Sequence, residues 1–220
     1  GGGGMMLAFG MVSALLNVAR GGEGQVIDAA MTDGTAVLMA MIHGMANQGI
    51  WREDTGANLL DTGAHFYDTY ETSDGKFVSI GSIEPQFYAE LRARLGLAED
   101  PEFDAQMNPA RWPALKDKLA AIFKSKTREE WDALLEHSDV CYAPVLSMSE
   151  ARAHAHNVAR ETFIDVADSP QPAPAPRYSG TITATPQPAP MPGDDTDDIL
   201  AGIGVKEGEV AQLREAGVVS

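Results

Sequence analysis

One carboxylate stands out by its place in the chain. Glu84 closes the apolar run Phe77-Val78-Ser79-Ile80-Gly81-Ser82-Ile83 and directly precedes Pro85, a residue suited to the first position of a helix. A carboxylate is thereby set where a strand gives way to a helix. Such a group can orient an imidazole, fix its tautomer and stabilise its charged form. The plainer alternative is that it complements the helix dipole, a contribution of about 0.3–1 kcal/mol.

The remaining chemistry-bearing residues do not assemble into a site by spacing. His154 and His156 are two apart in an Ala-rich helical stretch, so they point to different faces and make poor joint metal ligands. His43, on a Met-rich helix, and His65, just before a hairpin, could act as bases, although a lone histidine is more simply a structural hydrogen-bond partner. His137 offers no more. Cys141 is the single cysteine. It forms no internal disulfide, and with no C-x-x-C pair there is no metal framework, which makes a reducing, cytoplasmic compartment the default. The chain has no G-x-G-x-x-G, G-K-[ST], H-E-x-x-H or G-x-S-x-G, so nucleotide-fold and Ser-triad chemistry lose support.

The elements that must position these residues follow from periodicity. Met5, Met6, Phe9, Val12, Leu15 and Leu16 recur at helical spacing, and Gly21-Gly22 stops the pattern. Gln25-Val26-Ile27-Asp28 reads as a short buried strand. A second helical pattern runs through Met31, Val37, Leu38, Met41, Ile42 and Met45, and helix, strand, helix suggests part of an α/β unit. Seven of the ten methionines lie in the first 45 residues, a flexible apolar wall suited to varied acyl shapes, or simply helical core. A Gly-, Asn- and Asp-rich connection follows from Gly49 to Ala64.

Phe66 to Thr72 alternates, Ser73-Asp74-Gly75 turns, and Lys76 to Ile80 returns, which together signal a hairpin. The helix opened by Pro85 is expected to bury Phe87, Tyr88, Leu91 and Leu95. Amphipathic helices fit Trp112 to Ile122 and Trp131 to Leu135, the second opened by a capping box from Thr127 to Glu130. Tyr142 to Leu146 reads as a strand, and Ser147 with Glu150 caps a further short helix. Eight of the thirteen prolines fall between Pro170 and Pro192, which predicts an extended connection that is not packed into an element. A terminal helix is outlined by Glu209, Val210 and Leu213.

The 220 residues allow one large or two small domains with a real core, and 44% apolar against 22% charged residues is ordinary globular composition. Thirty-two acidic against sixteen basic side chains give a formal charge of −16, which argues against nucleic-acid or anionic-membrane partners. Any anionic ligand must find a local basic pocket. Met5 to Leu16 is too short to span a membrane. The chain opens on Gly1 to Gly4 and runs straight into a helix, so it is expected to be a fragment beginning inside a domain.

Several motifs carry a wider resemblance. They are Gly1 to Gly4 before an apolar helix, Gly24-Gln25-Val26-Ile27-Asp28-Ala29-Ala30-Met31, Gly56-Ala57-Asn58-Leu59-Leu60-Asp61, Tyr67-Asp68-Thr69-Tyr70 and Gly81-Ser82-Ile83-Glu84-Pro85-Gln86-Phe87-Tyr88. Together with Cys141 to Leu146, Ala175-Pro176-Arg177-Tyr178-Ser179 and Leu213 to Gly217, they resemble the family III CoA-transferase superfamily over nearly the whole chain. Transferases of that superfamily usually carry a glycine-rich loop where this chain has Ile83 to Tyr88, and they work through an aspartyl intermediate. The glutamate motif here is similar to the racemase branch.

The resemblance implies an α/β fold with a partial Rossmann-like large domain in residues 1–48 and a small α+β domain in residues 66–146. Residues 49–65 would be a linker, 147–193 a return linker with its Pro-rich strap, and 194–220 a C-terminal helical segment on the large domain. It implies an interlocked homodimer when complete. The implied activity is racemisation or epimerisation of 2-methylacyl-CoA thioesters in lipid and fatty-acid metabolism, by α-proton abstraction and reprotonation through an enolate. No cofactor is implied, since CoA is part of the substrate. Glu84 would orient a catalytic histidine, while Met31, Leu60, Tyr67 and Ile83 would line the apolar acyl channel. Neither the family's catalytic histidine nor its aspartate is matched in this chain, and the N-terminal part of the family supplies most basic contacts to the CoA phosphates. His65 sits where relatives often have proline and inherits no catalytic role. A CoA-transferase, or an inactive truncated product, is the alternative.

Overall fold

A computed structural model describes residues 1–219. The chain divides into two compact units, Gly1–Val145 and Leu146–Ser220, and is mixed helix and sheet throughout.

The first unit opens with α1 (Gly4–Ala19), α2 (Met31–Leu38) and α3 (Ala40–Asn47). Gly34 is the buried residue of α2, and only a glycine fits there, because a Cβ at that position would run into the carbonyl oxygen of Gly2. The single helix expected from Met31 to Met45 is interrupted at Met39, where ψ is 7°. The strand expected at Gln25–Asp28 does not form. Residues 22–30 are irregular and Val26 is 97% exposed, since no strand among the described residues lies alongside to pair with the segment.

The hairpin forms as expected. β1 (Tyr67–Glu71) pairs antiparallel with β2 (Phe77–Gly81), Tyr67 opposite Gly81 and Glu71 opposite Phe77. Gly75 takes the left-handed conformation the turn requires, with φ 73°, and Thr72 accepts its amide at 3.1 Å. α4 (Pro85–Arg94) follows; it buries Tyr88 and Leu91, whereas Phe87 and Leu95 are only half-buried. A 3₁₀ turn (Pro101–Asp104) leads to α5 (Trp112–Phe123) and α6 (Arg128–Leu135). Thr127 caps α6 through the full reciprocal box: its amide donates to Glu130 Oε2 at 2.8 Å, and its hydroxyl accepts from the Glu130 amide. β3 (Tyr142–Val145) completes a three-stranded sheet in the order β1-β2-β3.

The period-two alternation sends Tyr70, Val78 and Ile80 to the inner face, where α4, α5 and α6 supply Leu91, Leu115, Phe123 and Trp131. Phe123 stacks on Tyr70 and meets the edge of Trp131, both at 5.1 Å between ring centroids. Each fully buried side chain of this kind contributes about 1.5–3 kcal/mol.

In the second unit, α7 (Met148–Ala153), capped by Ser147 with Glu150, and α8 (Ala155–Ala159) lead to a hairpin of β4 (Phe163–Val166) and β5 (Ser169–Pro172). The expected Pro-rich connection therefore begins inside a strand: Pro170 and Pro172 sit on a two-stranded ribbon, where a missing N–H is tolerated because the outer edge has no partner strand among the described residues. α9 (Thr196–Gly202) and α10 (Glu207–Glu215) end the described chain. Among the described residues, no helix is long and apolar enough to cross a membrane.

Candidate active site

Glu84 is held by its backbone, and among the described residues no hydrogen bond or ion pair engages its side chain. Before it, the Ser82 amide donates to the Phe66 carbonyl at 3.0 Å and the Ser82 hydroxyl to the Val140 carbonyl at 2.6 Å, tying the end of β2 to two neighbouring segments. Gln106 then clamps the junction, its side-chain amide donating to the carbonyls of Ser82 at 3.0 Å and Ile83 at 2.9 Å. Pro85 occupies the first turn of α4, and the Glu84 carbonyl accepts the Tyr88 amide at 3.0 Å. Glu84 itself is the N-cap, extended at φ −71° and ψ 143°, yet its carboxylate makes no capping hydrogen bond and is exposed. The helix-dipole alternative needs only the charge at the start of α4 and not a capping hydrogen bond. An anchored backbone carrying an unengaged carboxylate can receive an imidazole from outside.

Cys141 lies near this carboxylate. Burial pushes its thiol up, and the negative charges of Glu84 and Asp139 push the same way, so the sulfur is held as a thiol rather than a nucleophilic thiolate. Its residue is left-handed, φ 53°, which turns the carbonyl to accept the Gly81 amide at 2.9 Å.

The four wall residues expected from the resemblance fall on different surfaces. Tyr67 and Cys141 line an open cavity of about 320 Å³ with Asp68 and Gly81, and Lys116 pins its rim by pairing with Asp68 at 2.5 Å. Ile83 is half-buried and packs against the core. Leu60 lines a second cavity, about 410 Å³, whose walls include Trp51, Met107 and Trp112. Met31 lies on α2 and is 74% exposed. The structure therefore gathers Glu84, Ile83 and Tyr67 at one end of the sheet and sets Leu60 and Met31 on other surfaces.

The loop that carries Leu60 is built by Asn58 and Asp61. Asn58 is buried; its side chain donates to the Arg52 carbonyl at 2.9 Å and to Asp61 Oδ2 at 2.7 Å, and accepts the Arg52 amide at 2.7 Å. Burial raises the Asp61 carboxyl, but the Asn58 side chain and the amides of Asn58, Gly56 and Ala57 outweigh it and hold the group below its usual value.

His65 is fully buried against Phe66, Tyr88 and Phe103, and burial lowers its pKa to about 4. Its Nε2 lies 2.7 Å from the Tyr88 hydroxyl, which also reaches the Phe103 carbonyl at 3.1 Å. A carbonyl can only accept, so the Tyr88 proton goes to Phe103, and His65 donates from Nε2 as a neutral imidazole with Nδ1 left without a partner. This histidine is a core residue. Glu84 is marked out by local sequence signals, whereas nothing local marks Gln106, which clamps the junction from more than twenty residues away in an irregular segment.

The model of CoA-transferase family III matches residues 2–196. The chain belongs to that family. It is 43% identical over 221 residues to alpha-methylacyl-CoA racemase of Mus musculus, covering 100% of this chain and 58% of that protein. The corresponding racemase of Homo sapiens is 40% identical, over 99% of this chain and 57% of its own length. A CaiB/BaiF family protein from Brucella suis shares the fold at TM-score 0.70 and 23% identity, over 89% of this chain and 52% of that one. The chain thus spans somewhat over half the length of the curated relatives it matches, and the family III fold is common to them.

Proposed function

We propose that the complete protein carrying this chain racemises or epimerises 2-methylacyl-CoA thioesters, with Glu84 as the carboxylate that orients a catalytic imidazole supplied from outside the chain. The observation that supports this most is the unengaged carboxylate on a junction clamped by Ser82, Gln106 and Pro85. The racemase names of the mouse and human relatives support the choice of reaction.

The thioester carbonyl acidifies the α-carbon. A base takes the α-proton, the electron pair delocalises onto the thioester oxygen as an enolate, and an acid on the opposite face returns a proton, inverting the centre without any cofactor beyond the CoA already on the substrate. Glu84 would accept the far N–H of the imidazole, fixing which nitrogen faces the substrate and stabilising the imidazolium after proton abstraction. Tyr67 and Ile83 would flank the acyl group from the same sheet end. Leu60 and Met31 would join the wall only through surfaces completed by further polypeptide. A homodimer and a cytoplasmic setting belong to the same proposal.

The alternative is a CoA-transferase, which shares the family. Incubating 2-methylacyl-CoA with the complete protein in D₂O separates them: deuterium at the α-carbon with loss of optical purity is expected of the racemase. CoA transfer between carboxylic acids with no α-exchange would establish the alternative.

A further inference from the structure

The carbonyls of Ser82 and Ile83 belong to neither neighbouring element. They follow the last ladder pair of β2, Gly81 opposite Tyr67, and precede α4, which begins at Pro85. Backbone carbonyls that leave a sheet before a helix takes over need other donors. One side chain serves both: the Gln106 amide nitrogen lies 3.0 Å from the Ser82 oxygen and 2.9 Å from the Ile83 oxygen. Since a carbonyl only accepts, the NH₂ group of Gln106 faces the junction, and each of its hydrogens has a carbonyl to meet.

Gln106 is itself fixed. It stands half-buried in a turn ahead of α5, and its own carbonyl accepts the Trp112 indole N–H at 2.8 Å. Trp112 opens α5 and is buried, its ring meeting the edge of Phe66 at 6.2 Å between centroids. The Phe66 carbonyl in turn takes the Ser82 amide at 3.0 Å. Gln106, Ser82, Phe66 and Trp112 thus close a ring of contacts, and Phe66 and Ser82 root it in the core because both are fully buried.

The Ile83 carbonyl is part of the planar peptide group that ends on the Glu84 nitrogen. A single donor would leave that plane a pivot, whereas donors on two consecutive carbonyls fix its rotation as well as its place. On the other side, the Glu84 carbonyl is held by the Tyr88 amide at 3.0 Å. We propose that Gln106 is a positioning residue for the α-proton transfer and acts through Glu84: by holding the peptide group that enters Glu84, it sets the direction in which the carboxylate meets the imidazole. This role needs no contact with substrate, and it rests on the racemase reading of Glu84.

The test is α-deuterium exchange into 2-methylacyl-CoA by the complete protein across pH. It compares wild type with Gln106→Ala, Gln106→Asn and Trp112→Phe, each alone and combined with Glu84→Gln, with Tm recorded beside every variant. Gln106→Ala should lower kcat for exchange about tenfold to 100-fold at little change in KM, because the carboxylate is misplaced while the acyl wall is untouched. A carboxylate held less well also stabilises the imidazolium less, so the acid limb of the pH profile should move to lower pH. Gln106→Asn, with the same donors on a shorter stem, should lie between. Trp112→Phe keeps an aromatic ring against Phe66 and loses the indole N–H, so it should reproduce the effect in milder form with the fold retained. Combined with Glu84→Gln, where no carboxylate remains to be positioned, none of the three should lower the rate further by more than about twofold. Losses that add in full to that of Glu84→Gln overturn the proposal. So does a Gln106→Ala protein that loses only Tm, with the rate per folded molecule and the pH profile of wild type. Absence of α-exchange in wild type overturns the racemase reading together with this role, and that failure is seen before any variant is compared.

Discussion

Two stretches of the first unit both carry many apolar residues, α1 the larger share, and could hardly be placed more differently. Between Ala64 and Val140, Phe66, Leu115, Phe123 and Leu135 lose all or nearly all contact with water. In α1, no residue is buried, and Phe9 is 73%, Val12 66% and Leu15 66% exposed. A helix apolar around its whole circumference belongs inside a protein. The first stretch carries its own partners, sheet below and helices above. The second has faces that nothing among the described residues covers, and contiguous exposed apolar surface is a general feature of interaction sites.

The contrast can be broken most severely in the core. Phe123→Ala removes a ring stacked between Tyr70 and Trp131 and should cost about 3–5 kcal/mol, measured as a lower urea midpoint at unchanged slope. A loss under 1 kcal/mol would mean that this block is not the packed part of the chain.

A pH series sharpens the same point. The buried neutral His65 titrates near 4 when folded and near 6.5 when unfolded, so the unfolded state binds more protons in that window. Stability therefore falls as pH drops from about 6.5 to 4, by roughly 2 kcal/mol for this group. His65→Phe should flatten that part of the profile relative to wild type; an unchanged slope would contradict a neutral imidazole in the core.

Thr127→Ala should cost about 1 kcal/mol by leaving the start of α6 uncapped. Phe9→Ser lies at the other end of the scale. It should leave the stability of the chain within about 0.5 kcal/mol while reducing its self-association in light scattering. A core-sized loss there would erase the distinction between the two stretches.

What could be read from the sequence follows the same divide between local and distant causes. The β1–β2 hairpin, the Thr127 and Ser147 caps and the Pro85 helix start are each specified within a few residues, and all form. Gln25–Asp28 carries strand-like residues, but a strand also needs a neighbour, and the sequence alone does not show that none lies alongside. His65 looks like a stray base until Tyr88 and Phe103, 23 and 38 residues on, close over it. Glu84 was legible because strand, proline and helix meet there in sequence. That its carboxylate stays unengaged, and that Gln106 fixes its backbone, depends on tertiary contacts.

The central claim is that Glu84 is a positioning carboxylate rather than a structural one. Its most direct test is the rate of α-deuterium incorporation into 2-methylacyl-CoA across pH by the complete protein, comparing wild type, Glu84→Gln and Glu84→Asp, with Tm recorded beside each. The exposed, unbonded side chain implies an unchanged Tm, an exchange rate about 100-fold or more lower with a shifted pH profile in Glu84→Gln, and partial rescue in Glu84→Asp. Full exchange with an unshifted profile in Glu84→Gln would contradict the account.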